Sequence, residues 1–253
     1  MNDFLKTAIE QKKKELSSGA YSFKQPESFS VKSLKTALKA PKLTLIAEIK
    51  RASPSKGLLI KSDKKIDKLL KLYNLYADAV SVVTDKKFFK GSLELLHQVS
   101  KKTGLPILAK DFIIDKRQIL ALKNAGASAV LLIARILTAK EFLNLYQFCK
   151  DIGIEAVCEV CSKEDILKAK GAGAEMFGIN NRDLKTLKID LNRSARLARL
   201  IPKSAIIIAE SGISSSKDIK SKRIQSILVG TSLIKSKNLI KSLSDLSGKK
   251  YET

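Results

Sequence analysis

Short apolar runs alternate with longer amphipathic stretches along most of the 253-residue chain. Eight of the runs are rich in Val, Ile, Leu and Ala, as expected of strands that are buried on both faces of a sheet. They cover residues 43–50, 79–84, 106–111, 129–134, 155–160, 176–180, 205–211 and 226–230. Several follow a turn-forming glycine, such as Gly104, Gly126 or Gly153. The pattern therefore predicts eight short strands separated by segments of helical length.

Strands joined by helices form right-handed βαβ units, whose strands lie parallel in one sheet. Eight such units match a closed (β/α)8 barrel of about 250 residues better than an open doubly wound sheet. An open sheet would also be expected to carry a Gly-x-Gly-x-x-Gly turn after its first strand, and none follows residues 43–50. We therefore predict an α/β fold with one domain over residues 1–253: a TIM barrel over 43–246, preceded by a helical extension over 1–42.

The extension contains two predicted helices. Apolar residues recur at helical spacing in the first of them, at Phe4, Leu5, Ala8, Ile9 and Leu16. We place the lysines at 12–14 mostly off this stripe, and we expect the helix to end at Gly19. A second helical stretch covers about 30–39 and stops before Pro41. We expect both helices to cap one end of the barrel.

The chain is strongly basic, with 48 Lys and Arg against 25 Asp and Glu and a formal net charge of +23. A charge of this size is compatible with a nucleic-acid partner. The lysines are spread over every segment, however, and the sequence has no combined aromatic and basic platform for bases. We therefore expect no nucleic-acid partner, and we interpret the charge as a Lys-rich solvent surface that also attracts an anionic substrate.

Neither a membrane span nor a metal site is indicated. No run approaches the roughly 20 apolar residues of a span, and the first residues lack the apolar core of a signal peptide. The three cysteines are too few for a disulfide framework. Cys158 and Cys161 have no second cysteine pair, and His97, in a predicted helix, is the one histidine. These features predict a cytoplasmic protein without a membrane partner or metal.

Ionisable residues stand inside or at the end of several apolar runs, where burial is costly unless charges pair. They are Glu48, Lys50, Lys110, Glu159 and Glu210. The carboxyl ends of barrel strands form the active-site face, so these side chains are expected to meet there. Two interpretations remain open: a rim of charges that only neutralise one another, and a catalytic group of lysines and carboxylates. Five such positions on one rim, beside Asn180 and Arg182, favour catalysis.

The turns after the last two strands are small and rich in backbone N–H groups. They contain Ser211 and Gly212 after the seventh run, and Gly230 and Thr231 after the eighth. Loops at these two places often bind phosphate in TIM barrels. A phosphorylated small molecule is therefore the expected substrate.

Several local strings resemble the indole-3-glycerol-phosphate synthases. They are EIKRASPS at 48–55, SVVTD at 81–85 with FKGS at 89–92, LAKDF at 108–112, EV at 159–160, GINNRDL at 178–184 and AESGI at 209–213. The resemblance extends over nearly the whole chain. It implies a cofactor-free carboxy-lyase of tryptophan biosynthesis that converts 1-(2-carboxyphenylamino)-1-deoxyribulose 5-phosphate to indole-3-glycerol phosphate with loss of CO2 and water.

The resemblance also implies roles for individual residues. Lys110 would be the acid for ring closure, and Lys50 would hold the anthranilate carboxylate. Proton transfers and contacts to substrate hydroxyls would fall to the remaining catalytic residues, which are Glu48, Glu159, Asn180 and Glu210. The phosphate would be held by Ser53, Arg182, Ser211, Gly212, Gly230 and Thr231. Phe89 and Phe112 would form apolar walls for the aromatic ring, although ordinary core packing explains them nearly as well.

Two other functions are weighed against this one. Another phosphate-binding barrel, such as a phosphoribosylanthranilate isomerase, would not explain the Glu-x-Lys and Lys-Asp-Phe strand ends. A basic nucleic-acid-binding or scaffold protein built on a barrel would predict salt-sensitive binding with a steep slope. As to assembly, we expect a monomer or a weak homo-oligomer.

Overall fold

The structure is a computed structural model of the chain, and it describes residues 3–22, 32–183, 186 and 188–250. Eight parallel strands form a closed barrel, in which each strand pairs with the next and the eighth pairs with the first. They are β1 Thr44–Ile49, β2 Ala79–Val83, β3 Ile107–Lys110, β4 Ala129–Ile133, β5 Glu155–Val160, β6 Met176–Asn180, β7 Ile206–Glu210 and β8 Ser226–Val229. Each lies within one of the eight predicted runs, so the predicted barrel is confirmed.

Helices connect the strands and surround the barrel. They are α1 Asp3–Ser17, α2 Leu34–Leu38, α3 Asp63–Tyr76, α4 Lys86–Phe89, α5 Leu93–Ser100, α6 Lys116–Asn124, α7 Ala139–Asp151, α8 Lys163–Gly171, α9 Asn192–Ala198, α10 Thr231–Ile234 and α11 Leu239–Ser247. Two 3₁₀ turns, at Ala134–Ile136 and Ser216–Asp218, and a small hairpin of Ala52–Ser53 with Gly57–Leu58 complete the elements. None of the helices within the described ranges has the length and apolarity needed to cross a bilayer.

Successive residues of each strand point to opposite faces, and the two faces build two cores. In β1, Leu45, Ala47 and Ile49 pack outward with the helices, whereas Ile46 belongs to the cluster that fills the barrel. The same alternation in the other strands places residues such as Leu108 and Val157 inside. The barrel is therefore a packed core along most of its length. At its amino end the buried hydroxyl groups of Thr44 and Ser226 pair with each other, and the charged side chains lie at its carboxyl end.

The two N-terminal helices do not cover the same end of the barrel, so that prediction was wrong. Near α2, the Ser33 hydroxyl and the Lys35 backbone N–H donate to the Glu155 carboxylate at the amino end of β5, at 2.6 and 2.9 Å. The helix α1 instead reaches the carboxyl ends of β2 and β3, where Lys12 pairs with Asp85 and Asp111. Both helices bury apolar residues against the inner core. The chain thus closes the floor of the barrel with α2 and covers part of its mouth with α1.

Candidate active site

A cavity of about 410 Å³ opens at the carboxyl ends of the strands. Every residue that the sequence singled out lines it. The catalytic candidates are Glu48, Lys50, Lys110, Glu159, Asn180 and Glu210. The candidates for binding are Ser53, Phe89, Phe112, Arg182, Ser211, Gly212, Gly230 and Thr231. One opening therefore receives side chains from strands far apart in the sequence.

The strand alternation explains why the charged residues point into this cavity. All of them except Lys50 stand two positions after an inward apolar residue, and two residues make a full repeat of a strand. Lys50 stands two positions after Glu48 and so lies on the same face. Glu48 follows Ile46, Lys110 follows Leu108 and Glu210 follows Ile208. The charges thus form the next inward layer above the packed apolar core. The barrel converts a sequence period of two into a ring of polar groups facing one another.

Lysines and carboxylates alternate around this ring. Lys50 Nζ lies 2.5 Å from Glu48 Oε1, and Lys110 Nζ lies 2.7 Å from Glu210 Oε2 and 3.7 Å from Glu48 Oε2. Glu48 and Glu210 are buried, and the lysines retain only about a sixth of their exposure. Burial alone would raise the pKa of Glu48, but attraction by Lys50 and Lys110 outweighs it and the pKa is lowered. Glu48 is therefore a carboxylate at neutral pH.

Lys110 is held as a cation. Burial opposes its charge, but the nearby carboxylates of Glu210, Glu48 and Glu159 outweigh burial and raise the pKa of the ammonium well above its usual range. A lysine in this state is a strong, fixed hydrogen-bond donor. A fixed cation of this kind can stabilise negative charge that develops on a nearby oxygen during a reaction.

The pKa of Glu159 is shifted in the opposite direction from that of Glu48. Burial first, and then repulsion by Glu210, raises the pKa of Glu159 to about 7, although Lys110 opposes the shift. Asn180 orients this carboxylate, since its Nδ2 donates to Glu159 Oε1 at 3.2 Å while its Oδ1 accepts the Arg182 backbone N–H at 2.9 Å. A carboxyl group with a pKa near neutrality is suited to take and return a proton.

Gly178 and Gly230 leave room for the carboxylates, a role that was not predicted from the sequence. A methyl group at Gly230 would overlap Glu48 Oε1 and lie 3.1 Å from Glu48 Cδ. At Gly178 it would overlap Glu210 Oε1 and lie 3.2 Å from Val157 Cγ1. Each acid therefore occupies the volume that a side chain on the neighbouring strand would fill. Both glycines stand in strings already noted, but only the three-dimensional neighbours reveal why a side chain is excluded.

Another side of the cavity is built from backbone turns. Ser211 and Gly212 both have positive φ, 67° and 81°, which is uncommon for a serine. Asn181 supports this turn by donating from Nδ2 to the Ser211 carbonyl at 3.2 Å, and its Oδ1 accepts the Ser194 backbone N–H. Facing it, α10 begins directly after Gly230. The turns expected to bind phosphate thus lie beside the charged ring.

Comparison with known proteins decides the family. The family model described as indole-3-glycerol phosphate synthase matches residues 3–246. An indole-3-glycerol phosphate synthase of Nautilia profundicola is 40% identical over 222 residues, which cover 85% of this chain and 86% of the relative. The chain belongs to the indole-3-glycerol phosphate synthase family.

Further relatives agree with this assignment. The indole-3-glycerol phosphate synthase of Aquifex aeolicus is 42% identical over 210 residues, covering 81% of each chain. The tryptophan biosynthesis protein TrpCF of Helicobacter pylori is 42% identical over 215 residues, and the match covers 84% of this chain but 47% of TrpCF. Indole-3-glycerol phosphate synthases are carboxy-lyases of tryptophan biosynthesis, so the expected enzyme class and pathway are confirmed.

Aromatic side chains form a third side of the cavity in this member of the synthase family. Phe89 and Phe112 lie with their ring centroids 6.3 Å apart. Phe4 of α1 also lines the cavity and packs edge-on against Phe88 and Phe112, with centroids at 5.1 and 5.9 Å. The sequence reading placed Phe4 on the buried stripe of its helix but gave it no part in the site.

A buried ionic cluster beside this aromatic side was also missed. The Lys12 ammonium lies 2.9 Å from Asp85 Oδ2 and 2.7 Å from Asp111 Oδ1, and its side chain is 1% exposed. The prediction that the lysines at 12–14 lie mostly off the apolar stripe was therefore wrong for Lys12. The burial of Lys12 could have been predicted from its position. Lys12 comes seven residues after Leu5 and four after Ala8, which places it on the buried face of α1.

Proposed function

We propose that the protein catalyses the conversion of 1-(2-carboxyphenylamino)-1-deoxyribulose 5-phosphate to indole-3-glycerol phosphate, with release of CO2 and water. The observation that carries the proposal is the convergence of two lysines and three carboxylates over one cavity, between a turn-rich side and an aromatic side. The substrate has the same three parts: a polar sugar chain in the middle, a phosphate at one end and an aromatic ring at the other.

The turn-rich side receives the phosphate. Arg182 supplies a planar guanidinium that can bond two phosphate oxygens. The backbone N–H groups after Ser211 and Gly230 surround the rest of the anion, as in other TIM barrels. The Ser53 hydroxyl is buried at the cavity wall, and no partner for it is found among the described residues, so it is available to a ligand. This end therefore provides binding energy without taking part in bond changes.

Ring closure takes place at the centre of the charged ring. The aromatic carbon attacks the ribulose carbonyl carbon, and the carbonyl oxygen becomes negative as the new carbon–carbon bond forms. Lys110 donates a hydrogen bond and then a proton to this oxygen, which becomes a hydroxyl group. Glu210 and Glu48 hold the ammonium in place. The positive charge on Lys110 is thus present before the reaction begins, and it stabilises the charge that the transition state develops.

Decarboxylation and loss of water complete the sequence. Lys50 binds the anthranilate carboxylate until the carbon–carbon bond to it breaks and CO2 leaves, which restores the aromatic ring. The hydroxyl group then takes a proton and leaves as water. A base removes a second proton from the ring, and its loss completes the indole double bond. Glu159 is the group with a pKa near 7 and serves this exchange of protons. Every step is redox-neutral, so no electron acceptor is required.

The test is to incubate the purified protein with the carboxyphenylamino-deoxyribulose phosphate and to follow indole fluorescence and CO2 release. We expect the two products in a 1:1 ratio, and a loss of both in Lys110→Met. Assay with phosphoribosylanthranilate separates this function from an isomerase. Turnover of that compound, with no indole formed from the first, would contradict the proposal. Gel shift at physiological salt tests the expected absence of nucleic-acid binding.

The location and the assembly state stay predictions. We expect a cytoplasmic enzyme that acts as a monomer or a weak homo-oligomer. Sedimentation velocity over a range of concentrations, with activity measured in parallel, tests whether specific activity is independent of association.

A further inference from the structure

A single buried lysine connects α1 to the barrel mouth. Besides its ion pairs with Asp85 and Asp111, the Lys12 ammonium lies 2.8 Å from Glu15 Oε2 and donates to the Tyr21 hydroxyl at 3.0 Å. Asp85 and Asp111 are themselves almost fully buried. Attraction by Asp111, Tyr21 and Asp85 outweighs burial and raises the pKa of Lys12 above its usual range. This cation is thus the common partner of groups on three segments of the chain.

Each of the two aspartates accepts hydrogen bonds from a segment that forms a wall of the cavity. Asp85 caps α4, because its Oδ1 accepts the backbone N–H groups of Phe88 and Phe89 at 2.7 and 3.2 Å. It thereby fixes the short helix that carries Phe89. Asp111 Oδ1 accepts the backbone N–H of Phe112 at 2.8 Å. The residues that hold Lys12 therefore also set the positions of two aromatic rings in the cavity.

The third aromatic ring is on the helix that carries Lys12 itself. Phe4 lies two helical turns before Lys12 and reaches the edges of the Phe88 and Phe112 rings. In the described part of α1, other residues on the buried stripe, such as Leu5 and Ala8, belong to the inner apolar core. Lys12 ties this helix to the strand ends, because its ammonium lies 2.9 and 2.7 Å from the carboxylates of Asp85 and Asp111, whereas apolar packing is non-directional.

We infer that Lys12 is a positioning residue of the synthase, which docks α1 on the barrel mouth and thereby assembles the Phe4, Phe89 and Phe112 wall that binds the aromatic half of the substrate. Lys12 does not touch the substrate. It acts through the rings, so its removal weakens binding of the aromatic half and leaves the phosphate half unaffected. This inference rests on the proposed function for the identity of the substrate.

The experiment compares Lys12→Met with Lys13→Met, which makes the same substitution at the next, exposed position of α1. We expect Lys12→Met to raise the KM of the carboxyphenylamino substrate by about tenfold, the loss of about one aromatic contact. The inhibition constant of inorganic phosphate, measured as a competitive inhibitor, is expected to stay within about twofold. Lys13→Met is expected to match the unmodified protein in both. An increase of both constants in Lys12→Met, or of neither, overturns the inference.

A double-mutant cycle with Phe4→Ala tests the route of the effect. If Lys12 acts through the ring on its own helix, the KM of Lys12→Met/Phe4→Ala is no higher than that of the worse single variant. Fully multiplicative effects overturn that route. The cycle also separates the inference from the proposed function, since a Phe4→Ala variant with altered KM shows that the wall binds substrate whatever Lys12 does.

Amide hydrogen exchange gives a measurement that does not need turnover. We expect the amides of α1 to exchange faster in Lys12→Met while those of β1–β8 keep their protection, which also shows that the barrel is folded. Unchanged exchange in α1 overturns the docking role. Faster exchange in α1, in a protein that forms no indole even unmodified, supports docking and rejects the proposed function.

Discussion

Lysines from the N-terminal segment meet carboxylates at both ends of the barrel, but in different surroundings. At the floor, Lys35 Nζ lies 2.5 Å from Glu175 Oε1, and the two side chains are 32% and 56% exposed. At the mouth, Lys12, Asp85 and Asp111 are each 1% exposed. Water screens the first pair, so it contributes little. Removal of one member from the second group leaves a buried charge uncompensated, which is strongly destabilising.

The contrast shows how the two ends are used. The floor needs only to be closed, and apolar residues of α2 such as Leu34 and Leu38 do this with their side chains fully buried. The mouth holds charges at a cost in desolvation, and it does so where they surround a cavity. Buried charge therefore distinguishes the end of the barrel that carries the candidate site from the end that α2 closes.

The largest effect is expected from Lys110→Met at the mouth. We expect kcat to fall by about 10²- to 10⁴-fold, as for the loss of a general acid, with little change in KM. Steady-state kinetics over a range of substrate concentrations provides the check, with thermal unfolding as the control for folding. A kcat within about threefold of the unmodified protein would falsify the acid role.

Arg182→Ala should act on binding instead of turnover. Loss of a charged hydrogen-bond partner for the phosphate is expected to raise KM by about 10- to 100-fold. We expect kcat to be largely kept, because Asn180 is oriented by the backbone N–H of residue 182, which the substitution retains. Arg196→Ala removes an exposed arginine of α9 and serves as the matched control. An unchanged KM in Arg182→Ala would count against the phosphate clamp.

Glu159 should make stability depend on pH in an unusual direction. Its pKa is raised from 4.5 to about 7, so between these values the folded state binds more protons than the unfolded state. The stability that this proton provides is present at low pH and is lost as pH rises toward 7. Glu159→Gln should therefore be more stable than the unmodified protein by roughly 1–3 kcal/mol at pH 8, and by much less at pH 5.

Chemical denaturation of both proteins at the two pH values gives this difference directly. Turnover of Glu159→Gln at pH 8 should be reduced even though its stability is higher, because the proton-transfer group is gone. A stability difference that does not depend on pH would show that the pKa of Glu159 is not raised by folding and would contradict the prediction.

The smallest effect is expected at the floor. Lys35→Met removes an exposed ion pair and should change the free energy of unfolding by at most about 1 kcal/mol. Both kcat and KM should stay at the values of the unmodified protein. A marked loss of activity here would mean that the two ends are coupled, and the comparison between them would fail.

The sequence predicts the barrel and its charged ring because both depend on short-range patterns. Apolar runs of strand length determine the eight strands, and the two-residue repeat predicts that Glu48 and Lys50 share a face. The ring also required the general rule that strand ends form the active site of this fold. Neither prediction requires knowing which residues that are far apart in the chain lie close together in space.

What the sequence did not reveal depends on contacts over long separations. Gly178 is small because of Glu210, and Lys12 is buried because of Asp85 and Asp111. Likewise, no local pattern says which end of the barrel α2 covers. The charge of Lys12 also pointed to the wrong prediction, because lysines in helices are usually exposed to solvent. In the sequence, only its spacing from the apolar residues of α1 distinguishes Lys12 from an exposed lysine.

The close approach of Gly230 to Glu48, and of Gly178 to Glu210, bears on how this mouth can change over evolutionary time. A mutation that adds a methyl group at either glycine overlaps the acid on the neighbouring strand, while loss of an acid alone leaves a gap beside a bare backbone. Each glycine and its acid therefore form a pair whose members are best exchanged together. Lineages that recruit this barrel for other chemistry would have to pass through double replacements, which makes the two pairs points of strong epistasis.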